Sequence, residues 1–211
     1  MNSHLITIEH KTRGAFYEIS KRLFDCVAAG TAIVLLAPAL LFLWLLVKLD
    51  DGGPLFYSQT RVGRAGRHFK FWKCRSMRVG ADAITGLKSD DDSIRFKAKD
   101  DPRITRVGKL LRRSSLDELP QLWNVLRGDM SLVGPRPALP QEVAQYNAYQ
   151  RRRLNVDQGI TCLWQIAGRA LIPFERQVEL DLEYIRRRSF CYDLWIVLKT
   201  VPAVLSGRGA Y

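Results

Sequence analysis

Two adjacent carboxylates, Asp117 and Glu118, sit in the stretch Ser115-Leu116-Asp117-Glu118-Leu119-Pro120-Gln121-Leu122-Trp123-Asn124, and Gly134-Pro135-Arg136-Pro137 follows closely. Paired acids beside arginines suit phosphate chemistry. Carboxylates hold a divalent metal or attack phosphorus, and guanidinium groups grip phosphate oxygens. The chain is otherwise strongly basic, with a formal net charge of +12 and a pI near 9.9. That excess points to an anionic partner: nucleic acid, anionic lipid or a phosphorylated small molecule. Arg136 stands between two prolines, and a rigid loop loses little entropy when its arginine binds an anion. A plain turn is the alternative reading of that motif.

The elements that must position these groups follow from local pattern. Ser115 with Glu118 three residues on matches a capping box. Alternatively Pro120 is the first helical residue and the acids just precede it. Either way a helix runs to about Arg127, Gly128 closes it, and Asp117 and Glu118 lie near the positive end of its dipole. Upstream, Leu55–Val62 and Arg67–Lys73 flank the glycine turn Gly63-Arg64-Ala65-Gly66 and read as a β-hairpin, with Phe69, Phe71 and Lys73 on one face. Residues 79–101 read as a loop or lid, and Asp90-Asp91-Asp92 within it as solvated rather than metal-binding. Val107, Leu110 and Leu111 mark a short amphipathic helix.

Beyond residue 140 the chain reads as helical, with Arg151-Arg152-Arg153 an exposed basic face toward phospholipid. Gly159–Arg169 reads as a strand or extended stretch. From Phe174 to about Arg188, Val178, Leu182 and Ile185 form an apolar stripe that includes Asp181, so a structural ion pair and a site role both stay open for that acid. Tyr192–Leu205 suits an interfacial helix with Trp195 at headgroup depth.

Cys26–Val47 is a run of 22 residues without a charge, enough to cross a hydrocarbon core as a helix. A cleavable signal fits poorly, and a buried core helix would be long for a domain of this size. Pro38 lies mid-run, where it removes a helix hydrogen bond. Lys11, Arg13, Lys21 and Arg22 precede the run; Lys48, Arg61, Arg64 and Arg67 follow it. The positive-inside tendency keeps both ends on the cytoplasmic side, which a re-entrant hairpin satisfies and a straight span does not. The 211 residues otherwise suit one compact domain. Cys26, Cys74, Cys162 and Cys191 form no metal-binding spacing and read as small buried hydrophobes in a reducing compartment. A nucleic-acid-binding module would leave the apolar run and the acidic pair unexplained. A non-catalytic membrane scaffold of a polysaccharide assembly complex is the other alternative.

The chain resembles the bacterial sugar transferases, monotopic polyprenyl-phosphate hexose-1-phosphate transferases that begin exopolysaccharide or O-antigen assembly. Carrying the resemblance are Lys73-Cys74-Arg75-Ser76-Met77, Ser115 to Pro137, and Gly159-Ile160-Thr161 with Trp164-Gln165 and Gly168-Arg169. It implies transfer of a hexose 1-phosphate, galactose or glucose, from a UDP-sugar to undecaprenyl phosphate with release of UMP. It also implies Mg²⁺, a covalent intermediate and a place on the cytoplasmic face of the bacterial inner membrane. By matched positions Asp117 is the nucleophile, and Glu118 places the metal or tunes Asp117. Lys73, Arg112 and Arg136 hold phosphates, with Arg75 and Arg169 also on the substrate side, and Asp181 orients a cation or the metal. Three positions depart from the family pattern: Gln158 where proline is usual, Cys162 where glycine is usual and Cys74 where phenylalanine is common. The expected fold is α+β and mostly helical. It comprises a basic segment (1–20), a re-entrant membrane helix (21–49) and a small cytoplasmic catalytic domain (50–211) with a β-hairpin and amphipathic interfacial helices. Membrane phospholipid is an expected partner, nucleic acid is not, and self-association through the C-terminal stretch is possible.

Overall fold

A computed structural model describes residues 14–81, 101–207 and 209 of the chain. The loop reading for residues 82–100, Asp90-Asp91-Asp92 included, lies outside the described residues, as do residues 1–13. The first element is α1, Ala15–Asp51, 37 residues closed by Gly52 in the left-handed conformation. It is long and apolar enough to cross a membrane by length and composition. Pro38 lies inside α1, and the helix continues through it. A single missing amide removes one rung of the ladder, and the neighbouring turns retain theirs.

What α1 touches is more telling. Ala29 in its first half packs with Phe69, Phe71, Val125 and Met130. Leu43 and Val47 in its second half pack with Leu55, Cys74 and Leu111. Between these contacts Val34, Leu35, Leu41 and Phe42 are exposed. Both arms therefore meet the same body while the apolar middle stands clear of it.

The first arm is locked by a buried polar network. Lys21 Nζ pairs with Asp193 Oδ2 at 3.0 Å, and the hydroxyls of Tyr17 and Tyr184 donate to the same carboxylate. Asp25 Oδ1 accepts the Leu132 amide at 3.1 Å. Arg22 donates to the carbonyls of Val125 and Leu126, completing a helix C-terminus.

The β-hairpin is as read: β1 (Phe56–Val62) and β2 (His68–Cys74) pair antiparallel with Phe56 opposite Cys74 and Val62 opposite His68. Then come α2 (Arg106–Ser114), a 3₁₀ turn Leu116–Glu118, and α3 (Gln121–Arg127) closed by Gly128. In α2, Leu111 is fully buried but Leu110 is exposed, so the apolar face is narrower than expected. β3 (Ser131–Val133) pairs parallel with β4 (Gly159–Thr161). Short helices α4 (Pro140–Ala144) and α5 (Ala148–Arg151) lie between those strands. After β4 the chain is helical, not extended: α6 covers Leu163–Ala167. α7 (Phe174–Arg187) buries Val178 and Leu182 as its stripe requires. α8 (Phe190–Ser206) buries Ile196 and leaves Trp195 half-exposed.

Two expectations are corrected. Arg153 is not on an exposed basic face; it is 1% exposed and ion-paired with Asp181. All four cysteines are free thiols, but only Cys74 and Cys162 are buried, and Cys191 is exposed.

Candidate active site

Two close backbone approaches and one buried side chain bring the site together. α2 starts at the cap Thr105, whose hydroxyl accepts the Gly108 amide at 2.9 Å. A Cβ on Gly108 would lie 2.0 Å from the Ser76 carbonyl oxygen, so only glycine lets α2 run this close to the end of β2. That contact places Arg112, whose Nε donates to Ser76 Oγ at 2.9 Å. Gly134 and Gly159 meet back to back, and the Gly159 amide donates to the Pro135 carbonyl. The Arg136 loop is thereby fastened to β4. Asn124, fully buried, donates to the Lys70 carbonyl and accepts the Trp72 amide, which seats α3 on the outer edge of β2.

The capping box expected of Ser115 and Glu118 does not form. Ser115 ends α2 with φ 57°, and its side chain caps no helix. The alternative is nearer the structure, because α3 begins at Gln121 immediately after Pro120. Asp117 and Glu118 occupy the 3₁₀ turn between the two helices.

Cations meet them there. Lys73 Nζ lies 3.3 Å from Asp117 Oδ2 and 3.5 Å from Glu118 Oε1. Lys73 also stands over the Phe71 ring, as the shared strand face requires. Arg136 Nη2 is 2.8 Å from Glu118 Oε1. Burial pushes the Asp117 carboxyl up, and the neighbouring Glu118 charge adds to the effect, while Lys73 and Arg112 oppose it. For Glu118, burial also works upward, but Arg136 and Lys73 outweigh it and hold the carboxyl at about 2. The two acids are thus driven apart by one set of neighbours. Glu118 is the anchored anion, and Asp117 is the desolvated one.

Arg112 and Arg169 flank the pair. Burial disfavours the cationic form of both; Asp117 and Asp101 favour it for Arg112, and Glu118 favours it for Arg169. The hydrogen bonds their side chains make go to serine hydroxyls, Ser76 for Arg112 and Ser115 for Arg169. Neither forms a carboxylate ion pair among the described residues.

Of the positions read from the sequence, Lys73, Arg112, Asp117, Glu118, Arg136 and Arg169 thus come together. Arg75 is engaged elsewhere. Its Nε donates to the Pro54 carbonyl at 2.6 Å, bracing the turn that follows α1. Asp181 lies in the interior, its Oδ2 2.6 Å from Arg153 Nη2 and accepting from Arg153 Nε. The Gln158 amide donates to the carbonyls of Arg153 and Val156, doing locally what a proline could not. The Cys162 thiol lies 3.1 Å from Gln165 Oε1, and burial holds it protonated. Sequence reading missed Asn124 and the Ser115–Arg169 contact. An asparagine buried mid-helix was the available signal for the first.

No group of three His, Cys, Asp or Glu side chains that could hold a metal occurs among the described residues. Magnesium does not need one, because it binds through one or two carboxylates plus substrate phosphates and keeps several waters. Asp117 and Glu118 fit that donor set.

Among the described residues, one helix long and apolar enough to cross a membrane adjoins a cation-ringed carboxylate pair, a combination that suits phosphate chemistry at a lipid surface. Residues 16–207 match the model of the bacterial sugar transferase family, and the chain belongs to that family. It is similar to the galactosyl transferase CpsE of Streptococcus agalactiae, at 45% identity over 98% of this chain and 46% of that protein. It is similar to the exopolysaccharide production protein ExoY of Rhizobium meliloti, at 41% identity over 92% of this chain and 88% of that protein. The undecaprenyl-phosphate galactose phosphotransferase of Salmonella typhimurium is 39% identical over 98% of this chain and 45% of its own length. The chain spans about half the length of several relatives it matches and nearly all of others.

Proposed function

We propose that this protein transfers a hexose 1-phosphate, galactose or glucose, from a UDP-sugar to undecaprenyl phosphate and releases UMP, as the first membrane step of exopolysaccharide or O-antigen synthesis. The observation that carries the proposal is the carboxylate pair, Asp117 buried and Glu118 partly exposed beside it. Lys73 bridges it, Arg136 anchors it, and Arg112 and Arg169, bonded to serines, flank it. The flanking arginines are free to trade a neutral hydroxyl for a phosphate oxygen.

In this reading Asp117 attacks the phosphorus that bears the sugar. One carboxylate oxygen bonds to that phosphorus, and the bond to the UMP oxygen breaks, UMP leaving with its electron pair. The approach sets a carboxylate against a diphosphate. Lys73, Arg112 and Arg169 offset that repulsion in a site where burial strengthens each charge contact. Glu118 keeps Arg136 and Lys73 aligned and remains ionised throughout. Mg²⁺ held by Asp117, Glu118 and the diphosphate would supply further charge neutralisation. The lipid phosphate then attacks the same phosphorus and frees Asp117; it is already ionised, so no strong general base is needed.

The re-entrant topology belongs to the same proposal. The two arms of α1 meet one body, and its apolar middle is exposed. An α1 dipping into one leaflet of the inner membrane from the cytoplasmic face would leave the site at headgroup height, where the lipid phosphate lies. The test is UMP release from a panel of UDP-sugars with and without undecaprenyl phosphate. Release that needs the protein, stops in Asp117→Asn and yields lipid-linked sugar phosphate supports the proposal. Protein that binds membranes but releases no UMP from any UDP-sugar contradicts it.

A further inference from the structure

Gln121 is 1% exposed, and neither its carbonyl oxygen nor its amide nitrogen meets a hydrogen-bond partner among the described residues. Buried carboxamides are almost always satisfied, so an orphan one calls for a specific reason. Its place in the fold supplies one. Leu119 and Pro120 have helical backbone angles, so the chain turns nearly continuously from Asp117 into α3. Residues three and four apart then share a face. Asp117, Gln121 and Asn124 form one stripe on that face. Its two ends are both fastened to β2: Asp117 to Lys73, and Asn124 to the backbone of Lys70 and Trp72.

Gln121 lies between those ends. Asn124 has its carboxamide committed to the strand. Asp117 does not, because among the described residues the one hydrogen bond to its carboxylate comes from Lys73 at 3.3 Å, and Lys73 is shared with Glu118.

We propose that Gln121 is a positioning residue for the attack, its Nε2–H donating to the Asp117 oxygen that does not bond to phosphorus. This rests on the aspartyl phosphosugar reading above. As the new O–P bond forms and the P–O bond to UMP breaks, the second Asp117 oxygen becomes the carbonyl of an acyl phosphate. No proton moves. Lys73 is drawn toward the phosphoryl charge at that moment, and the carboxyl group needs another donor to stay oriented. A neutral amide orients it without the loss of nucleophilicity that a second cation would impose.

The test uses the full chain in detergent with whichever of UDP-galactose and UDP-glucose releases UMP. The burst of UMP in the absence of lipid acceptor is compared between wild type and Gln121→Met, alongside the thermal midpoint and the KM for the UDP-sugar. The expected result is a burst at least tenfold slower, with KM unchanged and a midpoint equal to or above wild type, since an apolar chain of similar length replaces an orphan amide. An equal burst rate overturns the assignment, whatever the midpoint does. Should Gln121→Met not fold, Gln121→Asn withdraws the same amide by one methylene and is read by the same criterion. A wild type that shows neither burst nor protein adduct overturns the covalent reading itself. A wild-type burst that the variants share overturns only the role of Gln121.

Discussion

Arg169 donates through Nη2 to Ser115 Oγ at 3.2 Å, and both residues hold positive φ, 55° and 57°. Non-glycine residues avoid that region because of Cβ–carbonyl crowding. The two strained residues touch each other, and Ser115 begins the turn that carries Asp117 and Glu118. Ser115→Gly relieves the crowding and is expected to stabilise the fold by about 1 kcal/mol. It also removes the hydroxyl that steadies Arg169, so turnover should fall. Thermal unfolding and UMP release, measured on one preparation, check the opposed signs.

Asp117→Asn should abolish transfer and raise the thermal midpoint. Burial raises the Asp117 carboxyl above its ordinary 3.8, so the ionised form is a cost to the folded state. A raised carboxyl makes wild type lose stability as pH rises through that value. The advantage of the amide is therefore largest at neutral pH and vanishes below pH 3.8, where the acid is protonated folded or unfolded. Unfolding curves across pH for both proteins test this; a lower midpoint for the variant at pH 7 contradicts it.

Glu118 carries the opposite sign. Its carboxyl is held at about 2 against an ordinary 4.5, so the stability it contributes is complete above 4.5 and is lost as pH falls toward 2. Glu118→Gln should flatten the acid unfolding profile in that window. Denaturant titrations at several acid pH values measure the slope directly.

Removing Lys73 takes away the cation shared by both acids, at 3.3 and 3.5 Å. Lys73→Met should move the Asp117 carboxyl further upward, shifting the acid limb of the pH–rate profile to higher pH as well as slowing turnover. A slowed enzyme with an unmoved acid limb would mean that Lys73 holds substrate only.

Arg153 and Asp181 form a pair with 2% and 1% side-chain exposure. Losing one partner of such a pair costs about 3–5 kcal/mol, whereas replacing both with apolar groups is often neutral. Arg153→Met should therefore destabilise strongly, and the double variant Arg153→Met/Asp181→Leu should recover both stability and transfer. A double variant that folds but does not turn over would return Asp181 to the chemistry.

The legible parts of the molecule were those that local pattern dictates. The hairpin follows from aromatic strands around a glycine turn, the end of α3 from Gly128, and α7 from the spacing of Val178, Leu182 and Ile185. The gathering of the site was legible through family resemblance rather than through pattern. What failed were readings that depend on distant partners. Arg153 looks like a surface cation until Asp181, 28 residues on, buries with it. Ser115 looks like a helix N-cap until α2 ends on it in the left-handed conformation.

The central claim is that an Asp117 oxygen bonds to the sugar-bearing phosphorus during turnover. Incubation of the intact protein with UDP-sugar and no lipid acceptor, rapid acid quench and peptide mass spectrometry test it most directly. The account predicts a hexosyl phosphate adduct on the peptide containing Asp117, discharged on addition of undecaprenyl phosphate. Lipid-linked product formed at full rate with that peptide never modified would contradict it.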